Sequence, residues 1–144
     1  MEPITTTELN EILESHLKWL TIAVGQQAYL PGANLAGADL REVNLTRAVL
    51  ARADLLGADL SGSNLASANL SAADLNDACL VGVDADNAHF VGATMVGADL
   101  TDATLYDADF RRAHLTGATL RSAGMANADL TSAVLPNADL TGAD

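Results

Sequence analysis

The chain has 144 residues, a length that fits one domain, yet aromatic residues are only 3% of it while hydrophobic residues are 49%. A core with that composition must be thin, regular and made of small units. A formal net charge of −12 disfavours nucleic acid and anionic membrane surfaces as direct partners, and one cysteine, Cys79, excludes an internal disulfide framework and fits a reducing compartment.

The first segment, MEPITTTELNEILESH, is acidic and lacks a basic stretch followed by an apolar run. No signal peptide is expected from it. No run of about eighteen apolar residues occurs anywhere, so no transmembrane helix is expected and the cytoplasm is the expected location. Within residues 7–24, Leu9, Ile12, Leu13, His16, Leu17 and Leu20 recur at helical spacing. Thr7 is the expected N-cap, Glu8 and Glu11 suit the first turn, and Gly25 is the expected stop. Residues 1–27 therefore read as a capping helix and linker. The helix should pack on the rest of the chain through Leu13, His16, Leu17, Trp19 and Leu20; a separate docking helix is the alternative.

From residue 28 the pattern changes. The stretch ADLLGADLSGSNLASANLSAADL, residues 53–75, repeats with a period of five. Counted from Leu30 to Leu140, every fifth position makes a column of 23, of which 18 are Leu; the others are Ala85, Phe90, Met95, Phe110 and Met125. Two residues earlier runs a column of 24 from Ala28 to Ala143, of which 21 are Ala; the others are Val43, Ser63 and Val83. Residues two apart point the same way on an extended backbone, so Ala and Leu face inward and the residue between them faces outward. The remaining two residues must turn the chain. Nine of the eleven glycines occupy the second of them, among them Gly32, Gly57 and Gly97, which predicts φ > 0 there. Proline precedes that position at Pro31 and Pro136, as such a turn prefers. Asp, Arg and Ser at other corners predict a different turn for them.

Tandem A(N/D)Lxx over residues 28–144 resembles the pentapeptide-repeat proteins, and ILESHLKWL is similar to the short helical leader found before many such arrays. The resemblance implies an all-β fold, a right-handed quadrilateral β-helix with four pentapeptides per coil. At ~4.8 Å per coil, nearly six coils make a rod roughly 28 Å long behind the N-terminal α-helical cap. Residues twenty apart then stack, so Leu30, Leu50, Leu70, Phe90, Phe110 and Leu130 share one internal column. Ala85 reads as a local volume adjustment in a narrow core. The array runs in repeat to Asp144 without a lid, and an open coil end is an edge hazard. The resemblance implies pairing of two such ends in a homodimer; a proline-blunted monomer is the competitor.

Chemistry is sparse. His89 and His114 face outward on neighbouring faces, Cys79 has no histidine beside it, and no phosphate-binding, nucleophile-elbow or dinucleotide fingerprint occurs. No catalytic residue, cofactor or metal site is expected, and a convex rod has no cleft to perturb paired carboxylates. The surface remains. Residues 53–110 hold ten Asp and no Lys or Arg, with Arg41, Arg47 and Arg52 before this belt and Arg111, Arg112 and Arg121 after it. Asp39, Asp59, Asp99 and Asp139 fall on one face and Asp84 on the next. These five form the candidate partner surface, although stacked Asp should repel and charge also keeps a β-rod dispersed. The expected function is a non-enzymatic protein–protein interaction scaffold for an unidentified, basic partner. The alternative implied by the resemblance is a DNA mimic that binds DNA gyrase or topoisomerase IV, and catalysis is a third reading. A single rod spans only about eight base pairs, and the array has no interruption from which a loop could project, which weighs against mimicry.

Overall fold

The computed structural model describes residues 4–144. Helix α1 spans Thr6–Ile22. Its N-cap is Thr5, not Thr7. The Thr5 hydroxyl accepts from Glu8 N–H at 3.2 Å, while the Glu8 carboxylate accepts from Thr5 N–H at 2.9 Å. Only Thr5 has a glutamate three residues on, which is what a capping box requires. That hydrogen bonding also lowers the Glu8 pKa. The helix ends at Ala23, which takes the left-handed conformation with φ 54°, so Gly25 is not the stop. Gly25 has another duty: a Cβ there would lie 2.3 Å from the Ser15 carbonyl oxygen, so the chain leaves the helix by passing against its backbone.

Leu9 and His16 are buried, and Ile12 and Leu13 pack partly buried against the core. Trp19 and Leu20 are half-buried. Leu17 is 50% exposed, against the expectation that it packs. The seam lies one step round the helix, through Leu9, Ile12, Leu13 and His16, and leaves Leu17 outside.

Beyond the helix the chain coils. Parallel bridges join each outward residue to the one twenty on, from Tyr29 with Val49 to Thr119 with Asp139, and a turn falls every five residues, so four corners complete one coil. Each pentapeptide places its backbone donors alike. In the unit around Leu55, Leu55 N–H donates to the Asp74 carbonyl and Gly57 N–H to the Asn76 carbonyl in the next coil. Ala58 N–H closes the turn on the Leu55 carbonyl, and Asp59 N–H reaches back to Ala38. Four of the five donors are thus used.

Every corner takes one path. The second corner residue has positive φ at all positions from Gly32 to Gly142, including Glu42, Arg47, Ala72, Asp77 and Arg112, with φ between 55° and 62° where it is not glycine. The expectation of a second turn type is wrong. The N–H of this residue donates to the coil below, as Glu42 does to Ser61 and Arg52 to Ser71. A different path would forfeit that bond and the turn-closing one, together worth more than the roughly 1 kcal/mol of a left-handed side chain.

The Ala and Leu columns form the core, fully buried from Ala48 to Leu120. Phe90 and Phe110 stack with ring centroids 4.8 Å apart and 8° between planes. Leu30, Leu50 and Leu70 are buried in the same column, but Leu130 is only partly so. The three departures from alanine, Val43, Ser63 and Val83, lie twenty residues apart and so stack on each other. Val83 and Ala85 flank one outward residue, and both are fully buried. The larger residue of one column and the smaller residue of the other keep the local volume near that of an Ala–Leu pair. The last coil is looser: Leu135 is half-buried and Leu140 is 39% exposed.

Candidate functional site

The fifth backbone donor of each pentapeptide belongs to the first corner residue, which no ladder bond reaches. The outward Asp or Asn two residues earlier takes it. Asp59 Oδ1 accepts from Ser61 N–H at 3.0 Å, Asn64 from Ala66 at 2.9 Å, Asp99 from Thr101 at 3.0 Å and Asp139 from Thr141 at 3.0 Å. Beside the outward Thr94 and Thr104 the donor turns to the coil above: Val96 N–H to Asn76 Oδ1 and Tyr106 N–H to Asp86 Oδ1. Tyr29 and Val134 have no short side-chain oxygen to reach the corner, and the residue two on from each is a proline, Pro31 and Pro136, which has no N–H to satisfy; the outward Val49 has no such proline. The acid of the motif therefore closes the corner before it does anything else, and one carboxylate oxygen per Asp is committed to it.

Asp39, Asp59, Cys79, Asp99, Thr119 and Asp139 stand in one column, bridged in turn. Asp84 stands on the neighbouring face, between Asn64 and Thr104, and its Oδ2 accepts from Asn64 Nδ2 at 3.1 Å. The five candidate acids are thus spread over two faces. Direct Asp-on-Asp stacking occurs at Asp39–Asp59, Asp54–Asp74 and Asp109–Asp129. An arginine clamps two of these. Arg41 lies 2.7 Å from Asp39 and 3.8 Å from Asp59; Arg111 lies 2.7 Å from Asp109 and 3.7 Å from Asp129. The repulsion expected along this column is relieved at its first step. Arg41 hydrogen-bonds Asp39 and pulls its pKa from 3.8 down to about 2. Hydroxyl donors from Ser61 and Thr141 lower those of Asp59 and Asp139. The D-x-R spacing at 39–41 and 109–111 is the sequence signal for these clamps, one that the acidic-belt reading does not use.

Cys79 is half-buried; His89 and His114 are exposed on different faces. Among the described residues no group of three His, Cys, Asp or Glu converges as a metal site would need. His16 differs from both. It is fully buried, its Nδ1 accepts from Ala28 N–H at 3.0 Å, and its ring stacks on Trp19 with centroids 5.6 Å apart. Ala28 opens the first pentapeptide and has no preceding turn to accept its N–H, so His16 stands in for the missing carbonyl. Burial lowers the His16 pKa, and the Thr46 backbone works against that shift.

The repeat on which these faces are built is the one described by the Pentapeptide repeats family model, which matches in eight copies over residues 28–65, 44–80, 68–107, 78–117 and 108–144. The chain belongs to the pentapeptide-repeat family. Solved members that it is similar to include HetL, a pentapeptide repeat protein involved in heterocyst differentiation regulation in the cyanobacterium Nostoc sp. strain PCC 7120. HetL is 33% identical over 82% of this chain and 62% of its own, with a TM-score of 0.38. The chain thus spans under two thirds of HetL. Rfr23, a pentapeptide repeat protein from the cyanobacterium Cyanothece 51142, is 24% identical over 91% of this chain and 94% of its own, with a TM-score of 0.45. QnrB1, a plasmid-mediated fluoroquinolone resistance protein, is 16% identical over 81% of this chain and 74% of its own, with a TM-score of 0.41. No curated protein matches the chain.

Proposed function

We propose that this pentapeptide-repeat protein is a non-enzymatic interaction scaffold that presents a rigid acidic surface to a basic protein partner. One observation carries the reading. Asn closes a corner as well as Asp does, as Asn64 and Asn69 show, yet of the outward positions between 53 and 110 six hold Asp and two Asn, and the stretch has no Lys or Arg. The turn needs an acceptor oxygen and is indifferent to charge, so the excess of Asp over Asn asks for another reason. The corner uses Oδ1 of Asp99, through Thr101 N–H and its hydroxyl, which leaves the second carboxylate oxygen for a basic partner to meet, whereas that of Asp59 already faces Arg41 at 3.8 Å. Of residues 1–27, the described part, 4–27, acts as the cap of one structural unit with residues 28–144; residues 1–3 lie outside the described residues. The coil takes the right-handed, four-sided form of its family, and the protein works in the cytoplasm.

The test is the triple substitution Asp59→Asn, Asp84→Asn, Asp99→Asn. It keeps every corner acceptor while removing three charges, so folding should hold and affinity for a partner captured from lysate at low salt should fall by about tenfold or more. Unchanged affinity would reject the acidic faces as the docking surface. The same belt, free of basic residues, also favours a second reading, a DNA mimic directed at gyrase or topoisomerase IV. Inhibition of gyrase supercoiling by the native chain and not by the triple variant would establish it.

A homodimer through the last coil is the further partner proposed. Leu130, Leu135 and Leu140 have no acceptor for their N–H groups among the described residues, and Val134 and Leu140 are each 39% exposed. A second copy would pair those donors and cover that apolar surface. Sedimentation equilibrium giving the mass of one chain at every concentration would overturn it.

A further inference from the structure

The first coil also has an open side, and α1 covers only part of it. Between the helix and the coil lies a cleft of about 830 Å³. Ile4, Ile12 and Ala33 line it with apolar surface. Its charged lining residues are Glu8 and Glu11, one helical turn apart. Glu8 is fixed by its bonds to Thr5, while Glu11 is exposed. The Tyr29 side chain stands at the same cleft, and the residue is 71% exposed, the highest value for any large apolar residue described.

The wall of this cleft is a β-edge. Leu30 N–H donates to the Val49 carbonyl and Val49 N–H to the Ala28 carbonyl, so the N–H and C=O of Tyr29 point away from the second coil. In every later coil the equivalent groups pair with the coil before; at Tyr29 no coil precedes, and neither group has a partner among the described residues. The chain itself makes one backbone contact to this edge: Ile4 N–H donates to the Asn34 carbonyl at 3.2 Å, on the next face along.

We propose that this cleft is a docking site for an extended, lysine- or arginine-bearing segment of a partner protein, which adds as a short strand at Tyr29. Its backbone pairs with Tyr29 N–H and C=O, one side chain covers the Ile4–Ile12–Ala33 floor, and a basic side chain reaches Glu11 across the Tyr29 ring. The occupant is set by the lining: unpaired backbone calls for an extended chain, apolar floor for an aliphatic side chain, and two glutamates without a basic residue for a cation. The site is separate from the acidic faces of the repeats, so it stands or falls apart from the scaffold reading.

The probe is an acetylated, amidated pentapeptide alternating valine and lysine, with its valine–glutamate counterpart as control. Both are titrated into the isotope-labelled full chain and followed through backbone amide shifts. The lysine peptide should move the amides of Ser15, Gln26 and Tyr29, and the glutamate peptide should bind at least about tenfold more weakly. Glu11→Gln and Tyr29→Ala should each weaken the lysine peptide by about threefold or more at an unchanged melting temperature, while Asp99→Asn should not. Shifts spread over the repeat faces and weakened as much by Asp99→Asn would mean general attraction to an acidic chain and overturn the proposal. Absence of binding would overturn it too, and Tyr29 shifts that track protein concentration alone would give the cleft to a second copy instead.

Discussion

At the scale of single residues, the outward Asp or Asn is a corner-closing acceptor first. Asn64 shows how much one amide can hold. Its Oδ1 accepts from Ala66 N–H and from the Thr46 hydroxyl at 2.8 Å, and its Nδ2 donates to Asp84. Asn64→Ala should therefore cost about 1–2 kcal/mol in urea unfolding, since it removes the acceptor of a half-buried backbone donor and of the Thr46 hydroxyl. Ser63 is the opposite case. It stands in the alanine column, 1% exposed, with its hydroxyl unpaired. Replacing it by the alanine its column otherwise prefers removes an unsatisfied buried oxygen, so Ser63→Ala should raise stability by roughly 1 kcal/mol in the same measurement. A loss of stability would show that the hydroxyl has a partner in solution.

At the scale of elements, the corner and the cap obey different constraints. The corner accepts any residue at a cost, because two backbone bonds enforce its left-handed conformation. Ala72, with φ 56°, has neither glycine's freedom nor a polar side chain to bond locally. Ala72→Gly should raise the melting temperature, with a gain of about 0.5–1 kcal/mol. The cap depends on a neutral imidazole. Nδ1 of His16 must stay an acceptor for Ala28 N–H, and burial lowers its pKa below the ordinary 6.5. The unfolded chain therefore takes up the proton first on acidification. Docking of α1 should weaken as pH falls below about 6.5 and level off below the folded pKa. Trp19, stacked on His16, supplies the signal: its fluorescence should change over that range in the native chain and not in His16→Phe. An unchanged emission down to pH 5 would mean that the helix holds its place with a charged imidazole.

At the scale of the whole molecule, the rod is quasi-one-dimensional, each coil touching only its neighbours. Its resistance to a core cavity should depend on distance from the ends. Leu70 is fully buried in the third coil; Leu130, in the same column, lies partly open in the last. Leu70→Ala should cost about 2–5 kcal/mol, and Leu130→Ala distinctly less, by thermal or urea unfolding. That difference is expected of the dilute single chain; at higher concentration, where the proposed homodimer covers the last coil, the two losses should converge. The end thus reports on assembly through a measurement made on the core.

Much of this architecture is dictated by the chain read alone. A period of five with small and large apolar residues two apart requires an inward pair, an outward residue and a corner, because side-chain direction alternates along extended backbone. The helix, its apolar face and the burial of the Ala and Leu columns come from periodicity too. Three things needed the coil to be closed. Corners at Arg, Asp and Ser take the glycine path because the next coil holds them there, a force absent from local propensity. The Arg41 and Arg111 clamps join side chains of adjacent coils and depend on the twenty-residue stacking. The cleft at Tyr29, and the histidine that answers Ala28, exist only because a helix of one period meets a coil of another and leaves part of a hydrogen-bonding edge uncovered.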